Sequence, residues 1–386
     1  MKVLAVLPPD RWIEINLLST LRRHYCDKLH VFTYPGGMGR LGSKAWRKER
    51  DTLNEQLITV ARTLKTAGEL DLVFAIVYDD FLKVETAQQL RQLRVPMVNY
   101  HVDMAFQWYR VIRTAPYFDV LAVAQMTNAQ HLTPYNPHIH WMPMAANPEW
   151  YASSSSSESE PQHDLCFVGS FNPYRRALLA ECVNRRFKPS VYGRGWTEAA
   201  PTPYQFDWDA YKVWHDIRYY ALPRLRAEGL NSVIGPIKKK YARAHTFEAL
   251  HGAECFPPCA DEALAGIFRS SKVNLGLSDT GWHAGTHVVS SNNLQCRLRD
   301  FEVPMSGGFY LVQRAPGHED YYNLGREIET WTSLEELIDK VSYYGKHEAA
   351  ARRIREAGRR RAVASHTWRH RFDEMFQRLR AIGSPV

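Results

Sequence analysis

The chain has 386 residues, of which 45% are hydrophobic, and a formal net charge of +8. This length exceeds what one hydrophobic core usually supports, so two domains are predicted. No apolar run approaches the roughly 18 residues of a membrane span, which excludes a transmembrane helix. The six cysteines are scattered, and no second pair accompanies Cys255 and Cys259 to complete a zinc site. Reduced thiols and a cytoplasmic location are therefore expected.

Short apolar strands alternate with amphipathic helices over the first 150 residues. The start Met1–Leu7 is too short for a signal peptide and is predicted to be a core strand. The predicted strands are 2–7, 29–33, 70–77, 95–100, 120–123 and 139–143, and the main helices are 14–23, 46–66 and 85–93. This alternation indicates a parallel sheet with helices on both faces. Right-handed crossovers then place Pro8, Tyr34, Asp79 and His101 along one rim of the sheet.

A polar, serine-rich stretch at 151–161 is predicted to be a linker or surface loop, and a second α/β series follows it. Its strands are predicted at 164–168, 189–192, 273–277, 309–312 and 327–331, with helices at 174–184, 262–269 and 333–344. The aromatic and charged stretch 197–235 is an insertion without an assigned position. The predicted domains are 1–150 and 162–365, two Rossmann-like halves facing each other across a cleft. The helix at about 366–386 is expected to cross back to the first domain.

The positive charge is concentrated at the end of the chain. From Lys346 to Val386 there are eleven Lys and Arg residues against four Asp and Glu residues. Solvated faces of terminal helices explain this pattern, and so does a surface for an anionic partner such as nucleic acid or lipid. Lys238–Lys240 form a second, smaller basic cluster.

One segment of the second half carries a recognisable motif. Arg299-Asp300-Phe301-Glu302, followed by Ser306-Gly307-Gly308-Phe309, resembles the glycosyltransferase group-1 superfamily, and looks most like the branch named for the spore-maturation protein CgeB. Three further stretches are similar to that pattern, namely Phe167–Ser170, Tyr192–Trp196 and Leu324–Ile328. The resemblance implies an α/β GT-B fold, a nucleotide-sugar donor, most of all a UDP-sugar, and no metal.

The resemblance also implies a role for each matching residue. Glu302 would accept hydrogen bonds from the ribose hydroxyls, although a surface ion pair is the alternative. A departing diphosphate needs fixed cations and N–H donors, which the resemblance assigns to Arg299, Ser306, Gly307 and Gly308. Trp196 would stack on the nucleobase or pack in the core. The other candidates for donor binding are Gly169, Ser170, Arg175, Arg176 and Gly193.

The catalytic candidates lie in the first half. His101 resembles the strand-end histidine that contacts the donor sugar in group-1 enzymes, and a structural role is the alternative. Asp103 is a candidate general base if the reaction inverts, as are the other acids of the same rim, Asp10, Asp79 and Asp80. Retaining members carry a Glu where this chain has Leu294, so Asp279, His283 or His287 would have to substitute for it.

The predicted function is metal-independent glycosyl transfer from a nucleotide sugar, with hexosyl transfer from UDP as the leading form. The acceptor would be a glycan, a lipid-linked sugar or a modified DNA base. Two alternatives are a non-catalytic polyanion-binding protein and a nucleotide-sugar epimerase. Steep salt dependence of nucleic-acid binding would mark the first alternative.

Overall fold

A computed structural model describes residues 1–35, 42–152, 161–197, 210–234, 250–278 and 294–384. The glycine-rich loop 35–39 lies largely outside these ranges, as do most of the serine-rich stretch, Lys238–Lys240, Asp279, His283 and His287. Among the described residues, no helix combines the length and the apolarity that crossing a bilayer requires. The six cysteines all lie in the described ranges and none forms a disulfide.

Twelve strands are described. They are β1 (Lys2–Leu7), β2 (Lys28–Thr33), β3 (Leu72–Ala75), β4 (Met97–His101), β5 (Val120–Val123), β6 (Ile139–Trp141), β7 (His163–Val168), β8 (Pro189–Tyr192), β9 (Glu254–Phe256), β10 (Ser271–Gly276), β11 (Tyr310–Gln313) and β12 (Glu329–Trp331). The sequence analysis predicted all of them except β9, a three-residue edge strand that is too short for a clear alternation of apolar residues.

Fifteen α-helices are described. They are α1 (Arg11–Ile13), α2 (Ser19–His24), α3 (Lys44–Thr66), α4 (Val84–Arg91), α5 (Met104–Gln107), α6 (Pro148–Tyr151), α7 (Pro173–Asn184), α8 (Ala210–Asp216), α9 (Leu222–Glu228), α10 (Asp261–Arg269), α11 (Arg299–Ser306), α12 (His318–Tyr321), α13 (Leu334–Lys346), α14 (Glu348–Ser365) and α15 (Trp368–Ala381). A π turn joins α1 to α2, and a second one joins α8 to α9.

The described residues form two compact units. Unit 1 comprises residues from 1–143, 204–238 and 369–386, and unit 2 comprises residues from 144–203 and 239–368. The prediction counted 204–238 within the range 162–365, whereas the described part of this stretch packs with unit 1. The C-terminal helix α15 also belongs to unit 1, where Phe372 packs on Phe74 of β3.

The sheet of unit 1 has the strand order β2-β1-β3-β4-β5-β6, and all pairings are parallel. β1, β3, β4 and β5 are buried on both faces, which explains why β1, β3 and β5 are continuous apolar runs rather than alternating ones. Parallel strands need helical crossovers, so all carboxyl ends meet at one edge. His101 ends β4 at that edge.

The sheet of unit 2 has the order β12-β11-β10-β7-β8-β9, again with parallel pairs throughout. Its core contains Phe309 and Trp331, both fully buried. Ser333 begins α13 as predicted, because its hydroxyl accepts the Glu336 backbone N–H at 3.1 Å while Glu336 accepts the Thr332 N–H. The strand order places the carboxyl ends of β7, β8 and β10 side by side.

Candidate functional site

The first turn of α11 holds the predicted ribose carboxylate. Glu302 is only 1% exposed, and both its oxygens have partners within unit 2. The Tyr151 hydroxyl donates to Oε1 at 2.5 Å, and the Arg299 guanidinium pairs with Oε2. Burial and the negative charge of Glu302 raise the pKa of Tyr151, so this hydroxyl stays protonated. The structure thus brings Arg299 and Glu302 together and adds a third member, Tyr151.

Tyr151 is held in place by the helix that carries it. It ends α6, whose start is capped by the Asn147 side chain accepting the Glu149 N–H at 3.0 Å. The Trp150 indole donates to the Asp261 carbonyl at 3.3 Å, and Arg359 donates to the Ala152 carbonyl at 2.8 Å. No sequence signal pointed to Tyr151, because 151 residues separate it from Glu302.

The neighbouring Asp300 is fully buried and serves to fix the start of α11. Oδ1 accepts the Tyr310 hydroxyl at 2.7 Å, and Oδ2 accepts the Arg297 backbone N–H at 2.7 Å. The His318 Nε2 lies 2.9 Å from Oδ2, while its Nδ1 accepts the Ala315 N–H at 3.1 Å. Nε2 therefore carries the proton and donates to Asp300.

Cys296 completes a group with Asp300 and His318 whose possible metal-ligand atoms all lie within 4.8 Å of one another. A metal would need the His318 Nε2 lone pair, but that nitrogen already donates to Asp300. The Cys296 thiol has its pKa raised by burial and by the nearby Asp300, so it disfavours the thiolate that metals bind. As bonded here, the three residues fit a structural cluster rather than a metal centre.

Ser306, Gly307 and Gly308 occupy the other end of α11, and this corrects their predicted role. The Gly307 and Gly308 N–H groups bond to the carbonyls of Pro304 and Val303 as a helix C-cap, with Gly307 at φ +83°. The Ser306 hydroxyl donates to the Glu302 carbonyl at 2.8 Å. The cap thus uses both glycine N–H groups, about 8 Å along the helix axis from Glu302. They are not available to a diphosphate.

The loops after β7 and β8 meet tightly. A Cβ on Gly193 would lie 2.1 Å from the Gly169 carbonyl oxygen, so only glycine permits this approach. Trp196 is buried, donates from its indole to the Gly169 carbonyl at 2.7 Å and packs edge-on against Phe171. Of the two predicted roles, the structure gives Trp196 core packing. Its ring is not open for stacking on a base.

Two arginines lie in the first turn of α7. The Asn172 side chain caps this helix by accepting the Arg175 N–H at 2.8 Å, and the Arg175 guanidinium donates to the Ser170 carbonyl at 2.7 Å. Arg176 is half-buried on the next position. Val168, which ends β7, lines the same small cavity as Arg299. The β7 loop and the first turn of α11 are therefore neighbours in unit 2.

His101 lies at the predicted edge of the unit 1 sheet but is 1% exposed. Its Nε2 is 3.0 Å from the Gln107 carbonyl, which requires a proton on Nε2, and Tyr78 packs edge-on against the ring. Nδ1 is buried and has no hydrogen-bond partner among the described residues. Burial lowers the pKa of His101 to about 3, so the imidazole is neutral and offers an acceptor.

The acids of the same rim differ in their surroundings. Asp79 accepts the Arg113 and Thr114 N–H groups at 2.9 and 3.0 Å. Asp80 pairs with Arg110 at 2.6 Å and accepts the Tyr220 hydroxyl at 2.8 Å. Asp10 caps α1. These three acids serve structural roles, whereas Asp103 is half-buried at the start of α5, with the Gln107 amide 3.4 Å away.

His101 is expected to lower the free energy of unfolding of unit 1 as the pH falls. The unfolded chain protonates this histidine below about pH 6.5 while the folded chain keeps it neutral down to about pH 3, so the contribution of His101 to stability falls as the pH drops between these values. His140, with its pKa lowered to about 4 by burial, acts in the same direction, and Asp79, with its pKa raised to about 7 by burial, acts in the opposite one. At pH 5 the loss is about 2 kcal/mol relative to pH 7.5, at about 1.36 kcal/mol per pH unit. Urea denaturation at both pH values measures it. The difference between pH 5 and pH 7.5 should change by about 2 kcal/mol in His101→Gln and should not change in the exposed His24→Gln; an unchanged difference in His101→Gln would contradict the assignment.

Two all-parallel α/β units, one with an acid–arginine pair at a helix start and the other completed by the C-terminal helix, define a GT-B fold. Structures of this kind match nearly the whole chain. Anabaena HepE with UDP-glucose gives a TM-score of 0.59 at 12% identity, covering 99% of this chain and 100% of that one. Sucrose-phosphate synthase from Thermosynechococcus elongatus gives 0.57 at 12%, covering 99% of both. A Rickettsia africae glycosyltransferase gives 0.55 at 12%, covering 100% and 99%.

The family described as glycosyl transferase-like matches residues 175–377, more than half of the chain. The protein belongs to this glycosyl transferase-like family. A search of curated protein sequences finds no match to the chain.

Proposed function

We propose that the protein transfers a hexose from a UDP-sugar to an anionic acceptor without a metal, and that it represents the CgeB-like branch. The observation that carries the proposal is the Arg299–Glu302 pair in the first turn of α11. HepE, which shares the fold, binds UDP-glucose, and this supports UDP as the nucleotide. The acceptor is a glycan, a lipid-linked sugar or a modified DNA base.

The donor would lie along the carboxyl ends of β7, β8 and β10. Glu302 accepts the ribose hydroxyls and Arg299 neutralises the diphosphate. Arg175 and Arg176 contribute further positive charge from the first turn of α7, where the N–H groups and the helix dipole also favour an anion. The backbone of Gly169, Ser170 and Gly193 forms the adjoining wall of the site. Gly307 and Gly308 have no part in this arrangement.

In unit 1, His101 and Asp103 are the proposed catalytic residues. The neutral imidazole of His101 suits a hydrogen bond from a sugar hydroxyl to Nδ1, and it is too weak a base to remove the acceptor proton. Asp103 is the carboxylate we assign as the base of an inverting reaction. Asp79 and Asp80 are not assigned this role, because their hydrogen bonds hold the loops of unit 1 together.

Nucleotide binding tests the proposal directly. In thermal-shift measurements with chelator present, UDP and UDP-glucose are expected to raise the melting temperature, and GDP- and dTDP-glucose to raise it less. Release of UDP in the presence of candidate acceptors then reports transfer. The absence of a shift with every nucleotide, together with unaltered behaviour of Glu302→Gln, would refute the function.

Tyr151 gives a second test, because its hydroxyl occupies the Glu302 oxygen that a ribose hydroxyl would use. Tyr151→Phe is expected to tighten UDP binding severalfold, since the competing hydrogen bond is gone. It should also lower stability by about 1–3 kcal/mol, because a buried carboxylate oxygen loses its donor. Calorimetric titration with UDP measures the affinity, and Tyr322→Phe on the same unit is the control. Weaker UDP binding in Tyr151→Phe would show instead that Tyr151 orients Glu302 for the donor.

A further inference from the structure

The insertion between β8 and β9 forms a helical ridge on unit 1. It runs from α8 through the π turn Ile217–Ala221 into α9. One face is fixed to the body of the unit: the Tyr220 hydroxyl donates to Asp80 at 2.8 Å, and Arg50 and Arg113 both stack on the Tyr219 ring. Trp108 donates to Glu228 at 2.8 Å near the end of the ridge. These contacts hold the ridge in one orientation on unit 1, so the same side chains always face away from the body of the unit.

That opposite face is apolar and exposed, the reverse of the usual surface helix. Trp214 is 56% exposed, and three other exposed side chains follow it at helical spacing: Ile217, Leu222 and Leu225. Leu230, at 61% exposed, and Ile234 continue the apolar surface beyond α9. Contiguous apolar surface of this kind marks an interaction site rather than ordinary solvent-facing surface. We call these six residues the ridge face.

Basic side chains lie next to the ridge face. Arg218 and Arg226 are exposed, and the Arg218 guanidinium lies over the Trp214 ring at 4.8 Å from its centre. Within the described stretch 210–234, four Lys and Arg residues accompany two acids. This helical surface combines a tryptophan, aliphatic side chains and flanking basic residues. The combination is typical of helices that lie in the interface of an anionic bilayer.

We propose that the ridge face docks unit 1 onto an anionic membrane surface. The apolar side chains enter the headgroup boundary while Arg218 and Arg226 bind lipid phosphates. The ridge lies on the bilayer rather than across it, because the helical run 210–228 carries six charged residues and no described helix has the apolarity of a membrane span. This inference does not depend on glycosyl transfer, since it rests on the surface of the insertion alone.

Vesicle co-sedimentation of the full chain tests it. Vesicles of phosphatidylcholine with a quarter phosphatidylglycerol are compared with pure phosphatidylcholine. The wild type is expected to bind the anionic vesicles and to bind the neutral ones at least about tenfold more weakly. Ile217→Gln with Leu225→Gln should weaken anionic binding by about tenfold or more, because two apolar anchors are lost. Arg218→Glu with Arg226→Glu should weaken it by a similar factor.

The matched control is Val363→Gln on α14. Val363 is 40% exposed on a helix that is itself rich in arginine, so the variant removes an exposed apolar side chain from a second basic surface. The control should bind as the wild type does, and all variants should keep the wild-type melting temperature because the changed residues are exposed. Equal binding to neutral vesicles, or loss in Val363→Gln but not in the ridge variant, would overturn the proposal. So would a dimer of the free protein that Ile217→Gln with Leu225→Gln dissociates, since the ridge face would then join two copies.

Discussion

Glu302→Gln is expected to lower kcat/KM and UDP affinity by about 100-fold or more. Each ribose hydroxyl that donates to a charged carboxylate contributes about 1.5–3 kcal/mol, and an amide keeps only one acceptor oxygen. About 1.4 kcal/mol corresponds to a factor of ten, so losing one such bond and weakening the other reaches this range. Titration calorimetry with UDP and initial rates of UDP release measure the two quantities.

The same chain contains a matched control for this substitution. Glu329 in β12 is also buried, accepts a tyrosine hydroxyl at 2.6 Å from Tyr344 and pairs with a cation at 3.0 Å, Lys340. Glu329→Gln should lose comparable stability yet bind UDP as the wild type does, because it starts a strand at the opposite edge of the sheet. If the two variants lose UDP affinity equally, the effect reports unit stability and Glu302 is not the ribose ligand.

Gly358→Ala is expected to destabilise unit 2 by about 2–3 kcal/mol or more, the upper range for overpacking. Gly358 lies inside α14, where alanine would ordinarily be favoured by about 1 kcal/mol. Here a Cβ would meet the Glu327 carbonyl oxygen at 2.1 Å and the Pro304 Cβ at 3.6 Å. α14 and the backbone at Glu327 must therefore move apart, whereas the distance to Pro304 is an ordinary van der Waals contact. The shift in the urea midpoint of unfolding measures the loss.

Gly345→Ala separates this contact from the general preference of helices for alanine. Gly345 lies in α13 with no atom within 4 Å of an added Cβ, so the change should raise stability by up to about 1 kcal/mol. A stabilised Gly358→Ala would contradict the close approach of α14 to the Glu327 carbonyl.

Local pattern was sufficient for the fold. Continuous apolar runs such as 2–7 and 120–123 and the amphipathic spacing of 46–66 depend only on neighbours in the chain, and β1, β5 and α3 lie where these patterns predicted. Alternation of strand and helix then leaves parallel sheets as the solution, since only crossover connections fit. The motif Arg299–Glu302 was visible for the same reason, because all its members lie on one helical turn.

Other features depended on partners far away in the chain. The Gly307 and Gly308 N–H groups cap α11 because backbone groups at a helix end need hydrogen-bond partners. Trp196 is buried because residues from other parts of the chain pack around it. The position of 210–234 followed from the contacts of Tyr219 and Tyr220 with residues more than 100 positions earlier. Composition alone cannot determine which domain an aromatic insertion joins, because aromatic residues serve cores and surfaces equally.

The sequence by itself therefore determined the two parallel α/β halves and the acid–arginine motif, because periodicity and short motifs are properties of adjacent residues. Only the tertiary structure decided that the Tyr151 hydroxyl bonds to a Glu302 oxygen, that His101 is buried and neutral, and that the insertion turns an apolar face outward. Each of these depends on desolvation and on side chains brought together from distant parts of the chain, which no local pattern encodes.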